Sequence, residues 1–159
     1  MNRDESLCAH LGKILSWEDA HLSFDTAVEG LAPALRGVVP EGLAHSPWQI
    51  VEHLRRCQRD ILDFCRNPAY VEPPPREYWP ASAAPPTDEA WEQSLAAHRR
   101  DRDDLNRLAD DPAIDLLARI PHGTGQTYLR ELLLVADHNA YHVGQLVTLR
   151  RRLGAWGAA

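Results

Sequence analysis

The chain has 159 residues, a formal net charge of −6 and 44% hydrophobic residues, which suits one domain, 1–159, that can bury a core without disulfide staples. The acidic balance argues against wrapping nucleic acid or lying on an anionic membrane. No apolar run reaches the ~18 residues of a membrane span.

Residues 1–10 hold no apolar stretch of signal-peptide type, so a cytoplasmic protein is expected. Cys8, Cys57 and Cys65 form no CxxC pair and read as reduced, mostly buried thiols.

The elements are helical. Residues 4–15 carry Leu7, Leu11, Ile14 and Leu15 in a weak helical pattern. Ser16 and Asp19 have the spacing of a cap with a reciprocal acid. The reading allows a break there or one helix running to about residue 30. Residues 17–31 place Trp17, Ala20, Phe24, Ala27, Val28 and Leu31 at helical spacing. A loop with Pro33, Gly37, Pro40 and Gly42 follows.

Ser46-Pro47-Trp48-Gln49 is the clearest helix start, with Ser at N-cap, Pro at N1 and Gln at N3. That helix continues through Ile50, Leu54, Ile61 and Cys65 until Pro68. Residues 68–86 hold seven of the twelve prolines, with Tyr70, Tyr78 and Trp79. Such a segment cannot be a long helix, and its aromatics predict that it packs on the body.

Thr87-Asp88-Glu89 opens a third helix that Pro112 ends. Its charged run Arg99 to Asp104 reads as a solvated face. The last helix is expected from about Thr124–Tyr128 to Leu153, stopped by Gly154, with Arg150, Arg151 and Arg152 complementing its dipole. No convincing alternating strand is visible. The expected fold is an all-α four-helix bundle. The long connection between its second and third helices frees those two from being antiparallel neighbours.

Chemistry concentrates in the histidines. His138 and His142, in Asp137-His138-Asn139-Ala140-Tyr141-His142, are one helical turn apart on one face, the spacing of two ligands on one metal. The HExxH motif is absent because Asn139 follows His138. The helix is apolar nearly all round, and Gly144 suits a close helix approach. Two imidazoles on such a helix need partners. A shared metal would serve, as would carbonyls, carboxylates or water.

His53, beside the stripe of Ile50, Leu54 and Cys57, is the best candidate for a third ligand. His21 is next, His122 could reach the mouth of the site, and Cys57 is either a soft ligand or a small buried hydrophobe. His10, His45 and His98 read as surface or connection residues. No GxGxxG, Walker or GxSxG motif is present. Arg130 could bind a substrate carboxylate or pair with Glu131.

A histidine in the second helix followed by HxxxH in the fourth resembles the DinB/YfiT-like superfamily of metalloenzymes. The similar stretches are Ser46-Pro47-Trp48-Gln49-Ile50-Val51-Glu52-His53-Leu54, Gly125 to Glu131, and His138 to Leu146. The resemblance spans about residues 17–154. It implies a divalent metal held by His53, His138 and His142, with zinc or nickel most expected and manganese or iron as further choices. It also implies a homodimer acting on a small molecule. The implied activity is thiol S-transfer with a low-molecular-weight thiol, or hydrolysis. Three imidazoles leave coordination positions open, as catalytic sites do. The other readings are a non-catalytic metal-binding or stress-response module and a dimeric helical scaffold.

Overall fold

The cap at Ser46 is formed as its sequence requires. Its hydroxyl accepts from the Gln49 amide at 3.2 Å, and the Gln49 side-chain oxygen accepts from the Ser46 amide at 3.1 Å. The computed structural model describes residues 3–15 and 20–156. Five α-helices run through them: α1 Arg3–Ile14, α2 Phe24–Val28, α3 Pro47–Arg66, α4 Asp88–Asp110 and α5 Tyr128–Arg152. Thr87 and Thr127 cap α4 and α5, accepting from the Ala90 and Arg130 amides. Gly154, at φ +66°, turns the chain out of α5.

The architecture is all-α. Among the described residues there is no β-strand, only an isolated bridge between Arg119 and Thr127. No helix there is long and apolar enough to cross a membrane.

The helix expected over residues 17–31 is reduced to the five residues of α2. Ser23 caps it, its hydroxyl accepting from the Thr26 amide at 3.1 Å, and Gly30 at φ +67° lies just beyond its end. No single helix runs to residue 30, because residues 20–23 are not helical. Ser16, Trp17 and Asp19 lie outside the described residues. Leu31 is still buried, from the turn that follows α2.

The cross-links between helices set their directions. Ser94 donates to Glu52, Gln58 donates to the His98 carbonyl and Arg66 donates to the Asp104 carbonyl. Residue numbers on α3 and α4 rise together, so these neighbours are parallel. Asn139 donates to Gln58, and the His142 ring meets His53. Numbers on α5 therefore fall as those on α3 rise, and that pair is antiparallel. The parallel pair needs a long return connection, which the proline-rich segment supplies.

That segment lies on the body, as its aromatics predict. Tyr70 and Tyr78 both donate to the Asp60 carboxylate at 2.8 Å. Ser46 donates its hydroxyl to the Ala83 carbonyl. At Gly37 a Cβ would sit 2.5 Å from the Ala84 Cβ, so the segment's close approach requires glycine there.

Two apolar clusters fill the core. One centres on Phe24, Ile50, Leu54, Trp91 and Leu146, the other on Leu62, Leu105, Leu108, Ile120 and Leu132. Between them, α3 offers Gln58, α4 offers His98 and Asp101, and α5 offers Asn139 and His142, all buried. The hydrophobic burial that drives folding is thus interrupted at mid-height by a polar layer. Asn139 donates to Gln58 at 2.9 Å, and Gln58 donates to the His98 carbonyl at 2.7 Å. These bonds satisfy the Gln58 amide and the Asn139 side-chain nitrogen, while the buried Asn139 Oδ1 has no hydrogen-bond partner among the described residues.

Three further expectations change. His98 is not a surface residue: it is 1% exposed and stacks on Phe24 at 3.9 Å, because it occupies the inward face of α4. The run Arg99 to Asp104 is not simply solvated. Arg99 and Arg102 pair with Asp25 at 2.6 and 2.8 Å, and Asp101 is buried. Gly144 does not permit a close helix approach, since a Cβ there meets nothing within 4 Å. Arg150 has the structural role expected of it, donating to the Ala27 and Ala155 carbonyls at 2.7 and 2.9 Å.

Candidate metal centre

His53 sits nearly two turns into α3, and His138 and His142 sit one turn apart in the middle of α5. Antiparallel packing brings the three rings together. Ring centroids are 5.0 Å apart for His53 and His138, 4.7 Å for His53 and His142, and 4.6 Å for His138 and His142. His53 and His142 are buried and His138 is half-buried.

Hydrogen bonds orient two of the rings. The Nδ1 of His53 lies 2.9 Å from the Tyr78 carbonyl, which can only accept, so this nitrogen carries the proton. Its Nε2 then presents a lone pair. The Nδ1 of His142 lies 2.8 Å from Gln145 Oε1, and by the same logic its Nε2 is left unprotonated. Such outer hydrogen bonds commonly fix the tautomer of a metal-binding histidine.

Burial pushes His53 down to about 4, with the neighbouring His142 adding to the effect against the Tyr78 hydrogen bond. Burial also pushes His138 down to about 4, followed by His142 and His53. His142 is lowered by burial, opposed by its bond to Gln145. All three are therefore neutral imidazoles near pH 7, the form that binds metal.

The Nε2 atoms of His53 and His138 have the spacing of two ligands on one divalent cation. They are 3.1 Å apart. Two nitrogens bound at ~2.0–2.1 Å to a tetrahedral ion would be about 3.3 Å apart. Nitrogen donors of this kind suit zinc and nickel better than magnesium or calcium.

Cys57, one turn after His53, forms the closest donor cluster together with His53 and His138, a group that does not include His142. Its sulfur is 3.5 Å from His53 Nδ1 and 3.7 Å from Nε2. One donor atom each from His53, Cys57 and His138 lie within 4.8 Å of one another. Burial, then the charge of Asp60, pushes the thiol up to about 12. It therefore stays protonated unless a metal displaces the proton.

Trp79 covers the centre. Its indole lies flat on His53 at 3.8 Å and stacks with His45 at 4.0 Å. The proline-rich segment thus supplies both a ring face and the Tyr78 carbonyl. Arg56 holds that segment, donating to the Glu77 and Trp79 carbonyls at 2.7 and 3.3 Å. Arg56 is itself tied to Glu52 at 2.8 Å. Burial alone would raise the Glu52 carboxyl, but hydrogen bonds from Arg55 and Arg56 outweigh it and hold the group down to about 2.

The other candidates lie elsewhere. His21 is exposed, outside any helix, with Nδ1 on the Leu22 carbonyl. His122 bonds to the Phe64 carbonyl at 2.7 Å, eleven residues beyond His53 and thus about 16 Å away along α3. It is not at the mouth of this centre. His10 is exposed, and Arg130 pairs with Glu131 at 2.6 Å. His45 belongs to a connection, as expected, but stands against Trp79. The roles of Trp79, the Tyr78 carbonyl and Arg56 escaped sequence reasoning. The aromatics among the prolines were the available signal, and they told of packing without saying against what.

The family model of the DinB superfamily matches residues 17–146, and the chain belongs to that superfamily. No curated protein and no solved structure matches the chain.

Proposed function

We propose that this DinB superfamily member is a divalent-metal-dependent enzyme in which His53, His138 and His142 hold the ion, zinc or nickel first among the choices. It acts on a small molecule, by S-transfer from a low-molecular-weight thiol or by hydrolysis, as a cytoplasmic homodimer. The observation that carries the reading is the 3.1 Å approach of His53 Nε2 to His138 Nε2, inside a cluster of neutral imidazoles. A bound divalent cation supplies Lewis-acid chemistry that acidifies a thiol or water, giving a nucleophile at neutral pH.

The chain's own residues prepare the centre. The Tyr78 carbonyl and Gln145 hold protons on the far nitrogens of His53 and His142. Trp79 covers the face of His53 and excludes water from that side. No carboxylate contacts the three rings directly among the described hydrogen bonds, so no acid or base of the chain is assigned.

The test is elemental analysis of untagged protein beside a His138→Ala/His142→Ala variant. About one metal per chain in the wild type and none in the variant is expected, followed by metal-dependent consumption of an electrophile with a small thiol. No metal in either, after exposure to zinc, nickel and manganese, would favour the helical scaffold. A second reading rests on Cys57. If its sulfur joins the ligands, the centre closes, as structural metal sites do, and the protein holds metal without turnover.

A further inference from the structure

Against the C-terminal half of α5 lies an open cavity of about 340 Å³ that none of the three histidines lines, within the size range of small-molecule sites. It adjoins the centre through two residues. Gln145 lines it and accepts from His142, and His45 lines it and stacks with Trp79, which covers His53. Leu43, Ile50 and Leu149 supply apolar wall, and no Asp, Glu, Lys or Arg side chain lines it.

Gly144 also lines this cavity. It sits inside α5, where glycine costs about 1 kcal/mol relative to alanine. Neither usual reason for glycine applies. Its φ is not positive, and a Cβ there meets nothing within 4 Å. What the missing side chain provides is open space in the cavity, one turn from Tyr141 and two residues from His142.

We propose that this cavity is the substrate pocket of the centre and takes an uncharged, mainly apolar small molecule, with His45 and Gln145 available to one polar group. The assignment as substrate pocket rests on the metal-enzyme reading above; binding itself does not. A carboxylate or ammonium entering the cavity loses hydration and meets no Lys, Arg, Asp or Glu on its wall, which disfavours it.

Three probes of one shape test this: benzyl alcohol, benzoate and benzylammonium, each followed by amide NMR shifts at Gly144 and Gln145. Benzyl alcohol should move both amides, and the two ions should bind about tenfold more weakly or worse. Gly144→Leu should abolish the shifts. That variant places a better helix former where there is room, so it should fold, and its zinc affinity should match the wild type. Equal binding of the ions, or undiminished binding to the Leu variant, would overturn the proposal. So would a Gly144→Leu change that alters only a monomer–dimer equilibrium, since the cavity would then be a contact between copies. Zinc uptake is measured separately in the same samples. Failure of the metal reading shows as no zinc uptake with the alcohol still seated, and failure of the pocket shows as zinc uptake with no probe shifts.

Discussion

Arg56 on α3 donates to the Glu77 carbonyl at 2.7 Å, and so clamps a loop residue 21 positions away against the helix that carries His53. The clamp lies beside the Tyr78 carbonyl, the acceptor for His53 Nδ1. Glu52, at 5% exposure, anchors the other side of the guanidinium. Arg56 is therefore a positioning residue: it reaches the centre only through the segment it holds.

Arg56→Ala should leave the fold intact, because Glu52 keeps Arg55 and Ser94 as partners. Zinc affinity should fall about 10–100-fold, the range seen when outer-shell partners of metal ligands are removed. Titration calorimetry with zinc checks the affinity, and the circular-dichroism melt checks the fold. Unchanged affinity would show that the bonds of Tyr70 and Tyr78 to Asp60 and of Ser46 to Ala83 fix the segment without Arg56.

Cys57→Ala separates an open centre from a closed one. With three imidazoles as the ligands, the variant should keep about one metal per chain, whereas His138→Ala should lose it. With only imidazoles on the metal, cobalt-loaded wild type should also show no thiolate-to-metal absorption. A strong near-ultraviolet band that disappears in Cys57→Ala would place sulfur on the metal.

His98 predicts an acid-sensitive fold. Burial, followed by the Arg102 charge, lowers its ring from 6.5 to about 3, and neither nitrogen has a hydrogen-bond partner among the described residues. The folded value lies below the unfolded one. Stability from the neutral ring is therefore complete above about pH 6.5 and is lost as pH falls toward 3. Between pH 7.5 and 5.0 the wild type should lose up to about 2 kcal/mol more than His98→Leu, at about 1.4 kcal/mol per pH unit below 6.5. Urea melts of both proteins at the two pH values measure the difference. Equal losses would mean that the buried ring takes up a proton without strain.

Local chemistry made part of this protein legible before folding. The capping box at Ser46 and Gln49 concerns neighbouring backbone groups, so the start of α3 could be read from four residues. His138 and His142 share a face because one turn of any α-helix places them there. The apolar periods of α3, α4 and α5 and the proline-rich break could be read the same way. α2 could not: its spacing suited a longer helix, but only five residues between Ser23 and Gly30 form one.

Tertiary packing decided the rest. The apolar stripe beside His53 ranked it above His21 and His122, but only the antiparallel approach of α5 to α3 brings its imidazole to the pair. His98 directly precedes an arginine-rich run yet is buried, because α4 turns that face toward Phe24. Trp79 reaches His53 from 26 residues away only because the return connection between parallel helices crosses over it. Hydrogen bonds and helix periods act over a few residues and are written in order along the chain. Ring stacking, burial and the clustering of donors depend on which surfaces meet, and that is settled only when the helices pack.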